Sequence, residues 1–293
     1  MRRAYHPPVH ELDRILETIR TTPRGVLVTI VRTHGSTYRR AGARAVISED
    51  GRATGAISGG CLERDLAERI KPWLAEMQPR LVTYDSTRAD DLVFGMGLGC
   101  RGVLELLVEP FDPAHPPRLS AFRWNGRQPV EWTTTLPDGE TLVELIAPER
   151  ALLVFGGGPD VPPLLALARQ IGWRADAVIT RDPVDVSGYD AAVVMTHNFA
   201  RDVDALRALL ASRIGYIGLL GPRTRGDELL AEVGAPRDAR IFSPVGLDLG
   251  AETPDEIALS IVSEIQAVLT QRSARALREL DAPIHALADR CLA

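Results

Sequence analysis

Cysteine is scarce in this 293-residue chain: three thiols, Cys61, Cys100 and Cys291, an odd number. A disulfide framework needs pairs and an oxidising compartment, so free thiols in a reducing cytoplasm are the expectation. No two of the three stand at the short spacing of a zinc ligand pair. Basic charge is short as well. The 34 lysines and arginines are outnumbered by 39 aspartates and glutamates, for a formal charge of −5. That excludes a general nucleic-acid binder, which carries a basic stripe for the phosphate backbone, but it leaves room for a local basic pocket. No apolar run approaches the roughly eighteen residues a membrane span needs. Residues Met1 to Pro8 are basic but lack the apolar core of a signal peptide. Internal repeats and low-complexity tracts are missing too.

What is present suits a globular protein. The apolar share of 45 % supports a sizeable core without disulfides or metals. The length favours two domains, and the pattern of elements changes near residues 147–150. Before that point the reading is mixed α+β. A helix over His10–Ile19 is followed by a buried strand, Val26–Val31. A hairpin, Ala45–Ser48 with Thr54–Ile57, turns at Asp50-Gly51. A helix opens at Cys61 with Leu62, Leu66, Ile70 and Trp73 on one face. Strands follow at Leu81–Tyr84 and Val103–Val108. The proline-rich stretch 111–148 reads as domain edge and, in part, linker.

From Leu152 strands and helices alternate, which predicts a parallel sheet covered on both faces. Thr253, Pro254 and Glu256 form a capping-box signature for the last long helix. The expected organisation is a mixed α+β domain over 1–148, a Rossmann-like doubly wound α/β domain over 149–272, and a tail over 273–293.

Three glycine-rich loops carry the candidate chemistry. Ser58-Gly59-Gly60-Cys61 runs into a helix, whose positive end would stabilise a Cys61 thiolate. Such a thiolate can ligate a soft metal, take up sulfur or attack an electrophile. Glu63 is close enough to act as an acid or base, although a first-turn glutamate also suits the helix dipole. Gly97, Gly99 and Cys100 repeat the idea in a second loop, where backbone amides could crowd round an anion. A buried cysteine is usually inert filler, so the pairing of the two loops is what suggests a site. The third loop, Gly156-Gly157-Gly158, follows a strand and opens a helix, as a pyrophosphate-binding turn does. It supplies two of the three fingerprint glycines, with Gly156 and Gly158 in place and Val161 at the third. No acid stands at the end of the second strand. Ile179 or Thr180 fills that place, and Asp182 comes slightly later. His197, at another sheet end, could serve as an acid or base, contact a phosphate or hydroxyl, or cap a helix. Ser36 and Arg39 lie in a loop whose hydroxyls and guanidinium groups suit phosphate, or simply form a solvated turn.

As a set these motifs resemble the XdhC/CoxI family. Residues 32–44, 57–63 and 94–110 are similar to its amino-terminal domain. Residues 153–163, 193–198, 216–225 and 244–256 are similar to its Rossmann-like carboxyl-terminal domain. The resemblance implies a maturation factor for a molybdenum hydroxylase of the xanthine dehydrogenase or carbon monoxide dehydrogenase type. Such a factor binds and protects the molybdenum cofactor, a molybdopterin. It supports oxo-to-sulfido exchange by a cysteine desulfurase and delivers the cofactor to the apo-enzyme. A homodimer is compatible with that role.

On this reading Ser58, Gly59, Gly60, Cys61, Glu63, Gly97, Gly99 and Cys100 serve the molybdenum end, with Cys61 as its contact. Arg39 and the Gly156–Gly158 turn serve the phosphate or nucleotide part. Many relatives carry Gly-Ala-Gly-His where this chain has Gly156-Gly157-Gly158-Pro159. The competing expectation is an NAD(P)-dependent oxidoreductase acting on a small substrate held by the first domain.

Overall fold

The computed structural model describes residues 9–86, 102–180, 182–235 and 238–281. The second glycine loop, with Gly97, Gly99 and Cys100, lies outside them, as does Cys291. The chain divides into two compact units, one within Met1–Pro148 and one within Glu149–Ile284.

The first unit is built on a five-stranded antiparallel sheet. Its strands are β1 (Gly25–Gly35), β2 (Arg44–Ser48), β3 (Ala53–Gly55), β4 (Arg80–Asp85) and β5 (Gly102–Phe111), in the order β3-β2-β1-β5-β4. Side chains alternate along β1, and the two faces divide accordingly. Val26, Val28 and Ile30 pack beneath helix α2 (Cys61–Glu76), against Leu62, Leu66, Ile70 and Trp73. Leu27 points the other way, towards Leu12, Ile15, Leu16 and Ile19 of helix α1 (Val9–Thr21).

Within the stretch read from sequence as domain edge and linker, β6 (Val130–Thr135) and β7 (Thr141–Ile146) form a hairpin. Ile146, Val130 and Trp132 join the α1 core. A buried ion pair ties this hairpin to the sheet. Arg44 of β2 and Glu144 of β7 are 1 % and 0 % exposed. The guanidinium donates to both Glu144 oxygens and, at 2.8 Å, to the Gly42 carbonyl.

The second unit is a doubly wound parallel sheet, as the alternation predicts. Its strands are β8 (Ala151–Phe155), β9 (Arg174–Val178), β10 (Ala191–Val194), β11 (Tyr216–Leu219) and β12 (Ile241–Phe242). Every pairing is parallel, in the order β12-β11-β10-β8-β9. Leu152 and Val154 of β8 pack under α3 (Val161–Gln170) and α6 (Pro254–Leu269). Leu153 and Phe155 pack under α4 (Phe199–Leu210) and α5 (Arg223–Val233).

The α6 capping box is formed. The Thr253 hydroxyl accepts from the Glu256 amide, and the Glu256 carboxylate accepts from the Thr253 amide at 2.9 Å. One crossover departs from strict alternation: no helix is described between β9 and β10. Val184, Val186 and Tyr189 of that connection pack on the α4 side of the sheet instead.

Candidate functional site

In the first unit the chain leaves β3 and turns through residues 56–60 into α2. Gly60 caps the helix at φ 106°, left-handed backbone that glycine adopts without a steric penalty. A glycine cap has no side chain to offer the free helix amides, and Ser58 takes over that task. The Ser58 hydroxyl oxygen accepts from the Gly60 amide at 3.0 Å and the Leu62 amide at 3.2 Å. Its own proton goes to the Glu63 carboxylate, which also accepts from the Ile57 amide at 2.7 Å and the Ser58 amide at 2.9 Å. Glu63 is buried. Burial alone would raise its pKa, but the Ser58 hydroxyl and the two amides outweigh it and hold the carboxyl below its ordinary value. Glu63 is thus an ionised clamp that fixes the loop from within.

Cys61 is half-buried and packs against the core beneath α2. Its Sγ lies 3.6 Å from the Ser58 hydroxyl oxygen. Because the Ser58 proton is committed to Glu63, the thiol is the donor in that contact. Gly59 and Gly60 face outward, and a Cβ on either would meet no atom within 4 Å. The same loop lines an open cleft of about 570 Å³ with Gly51, Gly55, Arg64 and Tyr38. Tyr38 is 60 % exposed. Neither Tyr38 nor Arg64 stood out in the sequence.

Two sequence candidates lie elsewhere. The Arg39 guanidinium donates to Glu11 of α1 at 2.7 Å, a partner 28 residues away that local sequence could not reveal. Ser36 is exposed at the end of β1, where its carbonyl would stand 2.4 Å from a Cβ on Gly102.

In the second unit the strand order places the topological switch point between β8 and β10, where ligands bind in sheets of this kind. The Gly156–Gly158 turn leaves β8, and Thr196-His197-Asn198 leaves β10. The two loops meet. A Cβ on Gly156 would fall 2.6 Å from the Met195 carbonyl oxygen, so only glycine allows this approach. The His197 imidazole lies 3.4 Å from where a Gly158 Cβ would stand, and its Nε2 is 3.7 Å from Asp160. Asn198 caps α4 by accepting from the Arg201 amide at 3.1 Å, which leaves the His197 ring over the turn. The loop is held from below by buried Asp202. That carboxylate accepts from the Thr196 hydroxyl and from Arg225, each at 2.6 Å.

A cleft of about 280 Å³ opens beside this junction. Asp182 lines it, turned back so that its amide donates to the Thr180 hydroxyl at 2.9 Å. Ile179, just after β9, is 66 % exposed, and its Cδ1 would stand 2.7 Å from a Cβ on Gly157. An apolar side chain therefore overhangs the glycine turn where a dinucleotide-binding site would offer an acid to ribose. Arg201 also lines this cleft and was not among the sequence candidates. Its position three residues after the Asn198 cap is the signal that could have pointed to it. Among the described residues, no helix is long and apolar enough to cross a membrane.

Comparison with known proteins bears on both units. A family model described as the XdhC Rossmann domain matches residues 152–265, and one described as the XdhC and CoxI family matches residues 19–85. A Bacillus subtilis protein, named as a probable xanthine dehydrogenase subunit, is 32 % identical, over 87 % of this chain and 95 % of its own. The Escherichia coli protein named molybdenum cofactor insertion chaperone PaoD is 26 % identical, over 86 % of each chain. A crystal structure from Bacillus halodurans, described as a xanthine dehydrogenase, superposes with a TM-score of 0.75. That match is at 30 % identity and covers 91 % of this chain and 98 % of the other.

Proposed function

This chain belongs to the XdhC and CoxI family, and from that premise we propose that it is an accessory factor that binds a molybdenum cofactor and inserts it into a molybdenum hydroxylase. The observation that carries the proposal is the similarity, over 86 % of each chain, to a relative named as a cofactor insertion chaperone. The geometry is compatible with it. The cargo has a soft, sulfur-ligated metal end and a phosphate-bearing end, and the two units offer one kind of chemistry each. In the first unit Cys61 presents the only thiol among the described residues, beside two glycines with open space in front of them. Ser58 and Glu63 hold that loop, so their role is positioning, whereas Cys61 contacts the cargo. In the second unit the Gly156–Gly158 turn and His197 suit phosphate.

Several finer elements belong to the same proposal. Gly97, Gly99 and Cys100, outside the described residues, are assigned to the cargo on the family resemblance alone, and Ser36 and Arg39 assist only if Arg39 leaves Glu11. The same reading includes a cysteine desulfurase as the sulfur source for the cofactor and a homodimer as the form that meets the target enzyme. The competing reading, an NAD(P)-dependent oxidoreductase, draws on the parallel sheet and the glycine turn. Ile179 opposes it.

The test compares wild type and Cys61→Ala in anaerobic transfer of cofactor to an apo-hydroxylase. The variant should retain its fold and lose most of the transferred activity. Equal transfer by both would remove Cys61 from the mechanism.

A further inference from the structure

The cleft beside α4 carries a cation that nothing in the fold uses. Arg201 stands in the first turn of α4, lines the cleft, and keeps its Nε buried without a hydrogen-bond partner. No ion pair among the described residues engages its guanidinium. Asp202, the nearest carboxylate in sequence, is already taken by Arg225 and Thr196. An arginine fork left unpaired beside a backbone glycine turn suits a phosphate group.

The rest of the cleft is shaped for a ring. Ala205 and Ala208 follow Arg201 on one face of α4, so the groove runs for about 10 Å along the helix. Phe155 and Val178 line it at the sheet end, with Pro183 and Val184 of the β9–β10 connection beside them. Asp182 and Asp204 border it and can accept from ribose hydroxyls or a base amino group. Its volume, about 280 Å³, is at the small end of ligand sites, which run about 300–1,000 Å³. That volume accommodates one nucleoside.

We propose that this cleft is a mononucleotide subsite, in which Arg201 takes the 5′-phosphate beside the Gly156–Gly157 backbone and the base lies along α4 over Phe155 and Val178. The proposal rests on the cofactor reading only in naming the natural ligand, the nucleotide portion of a nucleotide-bearing cofactor. Discrimination between a nucleotide and its nucleoside falls to the phosphate, through Arg201.

The test is calorimetric titration of the full chain with cytidine and guanosine 5′-monophosphates, the two unphosphorylated nucleosides, and NADPH. At least one monophosphate should bind, and more tightly than its nucleoside. Arg201→Gln should weaken the monophosphate about tenfold or more while leaving the nucleoside unchanged. Ala208→Leu, at an exposed position, should weaken both by filling the groove. The proposal is overturned if Arg201→Gln binds the monophosphate as tightly as wild type, if neither monophosphate binds, or if NADPH binds and both monophosphates do not. Absence of nucleotide binding in a chain that still takes up molybdenum cofactor would sink the subsite alone. Nucleotide binding without cofactor uptake would sink the chaperone reading alone.

Discussion

At the scale of single residues, Ser58 and Glu63 explain why the cysteine loop holds its shape. Glu63 accepts from three donors while buried, and glutamine would keep the two amides on Oε1 but set an NH2 group against the Ser58 hydroxyl on the other side. Glu63→Gln should cost about 1–3 kcal/mol in urea unfolding at neutral pH. The sign with pH follows from the depressed pKa. A carboxyl held lower in the folded chain contributes fully above its ordinary value of 4.5 and loses that contribution as pH falls through the folded value. The stability gap between wild type and Glu63→Gln should therefore be constant at neutral pH and close in acid. A gap that widened below pH 4.5 would contradict the ionised clamp.

The two neighbouring glycines give a paired test. Gly60→Ala forces a side chain into left-handed backbone and should cost about 1–2 kcal/mol. Gly59→Ala, with open space before it, should stay within about 0.5 kcal/mol. Little of this was readable in advance. Ser58 and Glu63 were visible as members of a motif, but the hydroxyl's service to two amides and a carboxylate at once is a property of the folded turn.

At the scale of elements, legibility depended on how local the cause was. The Thr253–Glu256 box, the Asp50-Gly51 hairpin and the start of α2 at Cys61 all stand where their sequence signals put them. Each is set by contacts within a few residues. The β6–β7 hairpin was hidden, because its prolines and short apolar runs read as linker and its anchor is remote. Glu144 pairs with Arg44 across 100 residues of chain. A charge buried without its partner is costly, so Glu144→Ala should destabilise by about 3–5 kcal/mol. The double change Arg44→Met with Glu144→Leu should recover most of that loss in thermal unfolding. If both proteins were equally unstable, the pair would be doing more than neutralising itself. The partner of Arg39 was hidden for the same reason: Glu11 sits on a helix that precedes it by a strand.

At the scale of the whole molecule, the chain joins two units with different chemical preferences. One presents a thiol at a clamped glycine turn. The other presents a phosphate-type turn, a histidine above it, and a groove with an unpaired arginine. The alternation of strands and helices made the second unit's architecture legible. It did not show that, among the described residues, no helix lies between β9 and β10, where Asp182, Pro183 and Val184 line the groove instead. The account gives each unit a part in cofactor binding, the first through its thiol and the second through its glycine turn. The measurement that tests this most directly is anaerobic gel filtration of the purified chain with molybdenum cofactor, with molybdenum and pterin quantified in the protein peak. Apo-hydroxylase is then added to that peak. The account predicts that metal and pterin co-elute with the chain and that the apo-enzyme becomes active. Cofactor that elutes free of the protein, or that stays bound and never activates the apo-enzyme, would contradict it.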